Sequence, residues 1–103
     1  MKKLEHIISI SSSPGSFGET VHNKAYKKFK LNYLYRSIKV NDLKMVTNAM
    51  RELQIKGCSV SMPFKENIIK YLDKIDIRAK KVGAVNTILN KNSKLIGYNT
   101  DVY

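Results

Sequence analysis

The sequence predicts an α/β domain of three layers, built on a mostly parallel sheet that ends in a C-terminal antiparallel hairpin. Three observations lead there. From Leu4 to Val82, β-branched runs of strand length alternate with segments of helical periodicity, the order that builds a parallel sheet covered by helices. Two strand-like runs, AVNTILN and KLIGYN, then follow one another across Lys91-Asn92-Ser93, a turn composition. The length of 103 residues with 43% hydrophobic content suits a single compact domain with a modest core, over residues 1–103.

Each element can be read in turn. LEHIISIS is a β-branched strand that runs into SSSPGSFG, whose Ser, Pro and Gly mark a loop. From Glu19, Val21, Ala25 and Phe29 recur at helical spacing, and lysines fill the other face through Lys30. YLYRSIKV alternates apolar with polar residues as a second strand. Asn41-Asp42 then caps a second helix whose apolar stripe is Leu43, Val46, Met50 and Leu53, with Gly57 closing it at about C′. CSVS is a short strand running into Met62-Pro63. Proline favours a first helical turn and extends the residue before it, so a helix is expected from about Phe64 to Leu72. DKIDIRAKKV reads as a further helix, with Asp73 or Asp76 near its start and lysines near its end.

Composition excludes several classes of function. The only apolar stretch near the N-terminus, Ile7 to Ile10, is too short for a signal sequence or a membrane span, and the chain reads as cytoplasmic. Its one cysteine, Cys58, has no disulfide partner. His6 and His22 stand apart, so no metal site is expected. A formal net charge of +11 would suit a nucleic-acid binder, but sixteen lysines against three arginines are spread along the chain without a binding motif, the pattern of solvated faces. PGSFGE does not match the glycine-rich dinucleotide turn, and no phosphate loop is present.

Ligands in an open α/β sheet sit outside the carboxyl ends of its strands. The loops there offer Ser16, Ser61, Lys65, Asn86, Thr87, Asn99, Thr100 and Asp101. Lys65 would stand in a first helical turn, where the dipole disfavours an ammonium, while a carboxylate such as Asp101 would hold the proton on it. Each residue also has a plainer account. Lys65 is one of sixteen lysines, Asp101 could cap a following helix, Asn86 could bond local backbone, and Ser16 and Ser61 are ordinary loop serines. His22 fits a packed or capping role, and Tyr26, Tyr33 and Tyr35 fit the core.

Taken together, VSMPFKE, GAVNTIL and GYNTD, with HNKAYKKFKLNYLYRSIKV before them, resemble the ordered motifs of the shikimate dehydrogenase family over nearly the whole chain. The resemblance implies an oxidoreductase of aromatic amino acid biosynthesis that interconverts 3-dehydroshikimate and shikimate with NADP. It implies that Lys65 is the acid-base group, that Asp101 is its partner, and that Asn86, Ser61 and Ser16 bind substrate. The expected partner is a small shikimate-like molecule, with neither nucleic acid nor membrane, and a homodimer is compatible with the chain. Two departures stand out. Where the family carries Ser-x-Ser-Pro before its His-Asn, this chain has Ser16-Phe17-Gly18-Glu19, as in a divergent shikimate dehydrogenase-like branch. The family's Rossmann cofactor domain, which follows Asn-Thr-Asp, is absent from residues 1–103, so the chain reads as the substrate half of a two-domain enzyme, inactive without the other half. A ligand-binding domain without catalysis, specific for a shikimate- or quinate-like molecule, is the alternative.

Overall fold

A computed structural model of the chain describes residues 4–12, 17–28, 30 and 32–101. Its elements follow the order β1 (Glu5–Ser11), α1 (Phe17–Lys28), β2 (Tyr33–Lys39), α2 (Leu43–Glu52), β3 (Gly57–Val60), a 3₁₀ helix (Asn67–Tyr71), β4 (Lys74–Ile75), α3 (Ile77–Val82), β5 (Thr87–Lys91) and β6 (Lys94–Tyr98). The strands form one six-stranded sheet in the order β2-β1-β3-β5-β6-β4. β1 pairs in parallel with β2 and β3, and β4 with β6. β5 alone runs against its neighbours β3 and β6, so the expected mixed sheet with its closing hairpin is present.

The core lies on one face of this sheet. Ile8 and Ile10 of β1, Cys58 and Val60 of β3, Ile88 of β5 and Leu95 of β6 pack with Leu43 and Met50 of α2 and with Ile68, Ala79 and Val85. α2 is set by its cap, since the Asp42 carboxylate accepts the Met45 amide at 3.0 Å. Of its expected stripe, Leu43 and Met50 are buried and Val46 half-buried, but Leu53 is 68% exposed. The helix ends earlier than Gly57 would have ended it. Gln54 takes a left-handed φ of 55° and the Ile55 amide reaches back to the Met50 carbonyl, a closing motif that frees Gly57 to begin β3.

On the other face, α1 packs against β2. Asn23 ties it down by donating to the Tyr35 carbonyl at 2.9 Å and accepting the Tyr35 amide at 2.8 Å. Tyr35 is buried with the His22 ring stacked on it at 4.3 Å, and half-buried Tyr26 and Tyr33 meet edge to face at 5.5 Å. Ala25 is half-buried as its spacing predicts, whereas the Val21 side chain and Phe29 lie outside the described residues.

Two expected helices differ from what the proline and the charge pattern suggested. No α-helix runs from Phe64 to Leu72: the Ser61 carbonyl accepts the Phe64 amide, residues 62–66 turn, and only the 3₁₀ helix follows. An α-helix there would need the Lys65 carbonyl to accept the Ile69 amide. Ile69 instead donates to Glu66, and the Lys65 carbonyl accepts the Val85 amide from across the fold at 2.8 Å. The helix read over DKIDIRAKKV starts only at Ile77. Asp73 and Asp76 donate their amides to Leu95 and Gly97 of the neighbouring strand, which makes Lys74–Ile75 the edge strand β4. Asp76 then caps α3, and Gly83 ends it at φ 77°. The hairpin turn is the tight two-residue kind, with Asn92 and Ser93 both left-handed.

Candidate functional site

The reversed direction of β5 assembles the site. Because β5 is antiparallel to β3 and β6, its first residue, Thr87, lies opposite Ser59 and Tyr98. The start of β5 therefore shares a sheet edge with the carboxyl ends of β3 and β6. Ser61, Asn86 and Asn99 to Asp101 converge there from three separate stretches of chain, and the turn after β3 brings Lys65 to them.

The segment Ala84–Asn86 is the hub. The Val85 amide donates to the Lys65 carbonyl at 2.8 Å, the Asn86 amide to the Tyr98 carbonyl at 3.0 Å, and the Val60 amide to the Asn86 carbonyl at 2.8 Å. The turn itself is fixed from below by Phe64, half-buried against the core, and from the side by Ser61, whose amide donates to the Ile10 carbonyl at 3.1 Å. The Ser61 side chain is exposed.

Across this edge Lys65 Nζ stands 3.5 Å from Asp101 Oδ2. The lysine side chain is 28% exposed and the carboxylate side 68%, so the ion pair faces solvent. An exposed pair of this kind stabilises a fold by only about 0–1 kcal/mol. The helix dipole expected to act on Lys65 has no α-helix behind it, and the charge that does face the ammonium is the Asp101 carboxylate.

Asn86 is held in one orientation. Its Oδ1 accepts the Thr100 backbone amide at 3.1 Å and the Thr87 hydroxyl at 2.9 Å, while Nδ2 donates to Thr100 Oγ1 at 3.0 Å. A backbone N–H can only donate, so the oxygen end is fixed inward. The second Nδ2 hydrogen is then what Asn86 can offer a ligand, and it suits an acceptor such as a hydroxyl oxygen. The local bonds that offered a plain account of Asn86 do exist, and they orient the side chain without using up its donors.

Sequence reasoning named Thr87 and Thr100 only as polar loop groups and missed that they set this orientation. The signal was present as a repeated Asn-Thr pair, Asn86-Thr87 and Asn99-Thr100, at the two ends that meet. Ser16 lies outside the described residues, as does the side chain of Glu19. Lys65, Asn86 and Asp101 are brought to one edge as expected. No cluster of potential metal ligands occurs among the described residues.

Among the described residues, neither the N-terminus of α2 nor the turn after β3 suits a dinucleotide. A pyrophosphate needs a close backbone approach at a helix N-terminus. At α2 that place is already taken by the Asp42 carboxylate, and the turn after β3 leads into no α-helix.

Comparison with known proteins agrees with this architecture. Residues 6–88 match the family described as shikimate dehydrogenase substrate binding domain. A shikimate dehydrogenase-like protein of Haemophilus influenzae is 42% identical over 100 residues, which are 97% of this chain and 37% of that protein. The shikimate dehydrogenase (NADP(+)) of Dehalococcoides mccartyi strain CBDB1 is 51% identical over 88 residues, 84% of this chain and 31% of that one. A crystal structure of shikimate 5-dehydrogenase from Listeria monocytogenes in complex with shikimate and NAD superposes with a TM-score of 0.85 at 41% identity, covering 94% of this chain and 35% of the other. The chain thus spans about a third of the length of the relatives it matches. With the match running from His6 in β1 to Ile88 in β5, through the turn that carries Lys65 and the hub that carries Asn86, this chain belongs to the shikimate dehydrogenase family through its substrate binding domain.

Proposed function

We propose that the chain forms the substrate-binding and catalytic domain of an NADP-dependent shikimate dehydrogenase, acting in the cytoplasm on a small hydroxylated carboxylic acid. One observation carries the reading: in a chain of this family, Lys65 and Asp101 face each other at 3.5 Å on the same sheet edge as the outward donor of Asn86. The D. mccartyi relative is named for NADP and the L. monocytogenes structure for shikimate, which supports both assignments.

Oxidation of a secondary alcohol to a ketone removes a hydride from carbon and a proton from oxygen. A bound nicotinamide cofactor would supply the acceptor for that hydride, and the described residues offer no glycine-rich turn to hold it. Lys65 and Asp101 take the proton in one direction and return it in the other, as general acid-base groups. Asn86 donates to an oxygen of the ligand and so leaves that oxygen's own proton to another partner. Ser61, at the end of β3, and Ser16 contact the substrate.

The test has two parts. Shikimate is titrated into the 103-residue chain by NMR, and saturable shifts at Lys65, Asn86 and Asp101 are expected. Turnover is then measured with these residues joined to the cofactor domain of the D. mccartyi relative. Lys65→Ala and Asp101→Ala should each lower kcat by roughly a hundred- to ten-thousand-fold. The fold should persist, because the pair stabilises it by no more than about 1 kcal/mol. Unchanged turnover in both variants refutes the assigned roles. Binding without turnover in the unsubstituted fusion would favour a ligand-binding domain, a reading supported by Glu19 in the stretch that departs from the family's Ser-x-Ser-Pro.

A further inference from the structure

We infer that Asn99 is a positioning residue of this site, one that fastens Asp101 to the hub carrying Asn86 and Lys65. The inference rests on the reading of Lys65 and Asp101 as the proton-handling pair. Asn99 is 8% exposed and, with Thr47, is one of two buried polar residues among those described. Its side chain bonds in two directions. Nδ2 donates to the Ala84 carbonyl at 3.1 Å, and Oδ1 accepts the Asp101 amide at 2.9 Å.

These two bonds link different parts of the chain. Ala84 directly precedes Val85, whose amide holds the Lys65 carbonyl, and Asn86, whose side chain faces the ligand edge. Asp101 lies beyond the end of β6, and its carboxylate is 68% exposed. An exposed ion pair has little hold of its own, since solvent screening leaves it about 0–1 kcal/mol. The Asp101 backbone must therefore be held by something else if its carboxylate is to stay opposite Lys65: Thr100 before it is bonded to Asn86, and the Asn99 amide holds Asp101 itself through a part-buried tether of two hydrogen bonds. A side chain that merely closed a local turn would need only the bond to Asp101. The bond to Ala84 adds a second join between the two halves of the site, beside the bonds of Asn86 to Thr100 and Tyr98.

The test is a double-mutant cycle on the 103-residue chain without ligand, read on the carboxyl ¹³C shift of Asp101. Lys65→Ala defines the shift of Asp101 without its partner. Asn99→Ala is expected to move the Asp101 signal toward that value, and to move it no further in the Lys65→Ala background, because coupled groups are not additive. Asn99→Asp keeps an oxygen for the Asp101 amide but loses the donor to Ala84. It should shift the signal in the same direction, and it carries the measurement if the alanine variant does not fold. An Asp101 signal that stays in place in a folded Asn99 variant overturns the inference, as does an equal movement in both backgrounds.

Shikimate titration of the same samples separates this inference from the reading beneath it. Asn99→Ala should weaken binding roughly tenfold when Asp101 is present, the effect of a misplaced contact, and should leave it unchanged in an Asp101→Ala background. A parent chain that does not bind shikimate while the shift cycle holds refutes the shikimate reading and leaves the role of Asn99 supported.

Discussion

Replacing Gly97 with alanine tests how tightly the hub is packed against the sheet. Gly97 sits in β6 opposite Ile88 and Ile75. A Cβ built there would lie 2.6 Å from Leu72 Cδ1 and 2.8 and 3.2 Å from the two methyls of Val85. Carbon atoms settle about 3.5–4.0 Å apart, so the first two contacts are roughly an ångström too short and the third roughly half that. Leu72 is half-buried and ends in a flexible side chain that can rotate away. Val85 is fully buried and β-branched, with a stiff χ1, and its amide is the one bonded to Lys65. Val85 therefore sets the cost, and any relief must move the hub. Overpacking of this kind costs about 1–3 kcal/mol, which for a domain of this size lowers Tm by roughly 4–8 °C per kcal/mol. Thermal unfolding followed by circular dichroism should show a loss of about 8–16 °C for Gly97→Ala, the middle of that range. In a Val85→Ala background the same substitution should cost less than about 1 kcal/mol, because the clashing methyls are gone. An unchanged Tm in the first variant, or an equal cost in both backgrounds, refutes the packing argument.

Three further outcomes are expected. Burial pushes the Cys58 thiol up to about 12, so at pH 8 disulfide reagents should label the native chain on the order of a thousandfold or more slowly than the urea-unfolded chain. Asp42→Ala removes the cap of α2 and should lower stability by about 1 kcal/mol in urea denaturation. The Leu95 amide, with help from Arg51, holds the Asp73 carboxyl below its ordinary value. Its stabilising effect is therefore present above the unfolded pKa of about 3.9 and lost as pH falls through the lower folded value. The gap in urea midpoint between the parent and Asp73→Asn should thus narrow from pH 7 to about pH 3.

Much of this fold was legible because its strands and α2 carry strong periodic signals, and Asp42 and Asp76 stand where caps belong. What failed depended on distant partners. Pro63 predicts a helix after it, but there the Lys65 carbonyl meets the distant Val85 amide while Ile69 turns to Glu66. Lys74–Ile75 is a strand only because β6 lies beside it, and a two-residue strand leaves no pattern to read. At the site, Lys65, Asn86 and Asp101 were legible through motif order, whereas the orientation of Asn86 was not. That orientation depends on Thr87 and on Thr100, fourteen residues away in sequence, and only the fold brings Thr100 near.

The tether between Asn23 and Tyr35 has a consequence beyond holding α1 in place. β2 is an outer strand of the sheet, and such an edge offers main-chain groups to any extended chain that comes alongside. Asn23 fills both the donor and the acceptor of Tyr35 in the middle of that strand. A second strand could dock there only by displacing two bonds, each worth about 0.5–1.5 kcal/mol. One asparagine thus shields the middle of a β-rich border from edge-to-edge aggregation, a safeguard that a chain with so many β-branched runs needs while it folds.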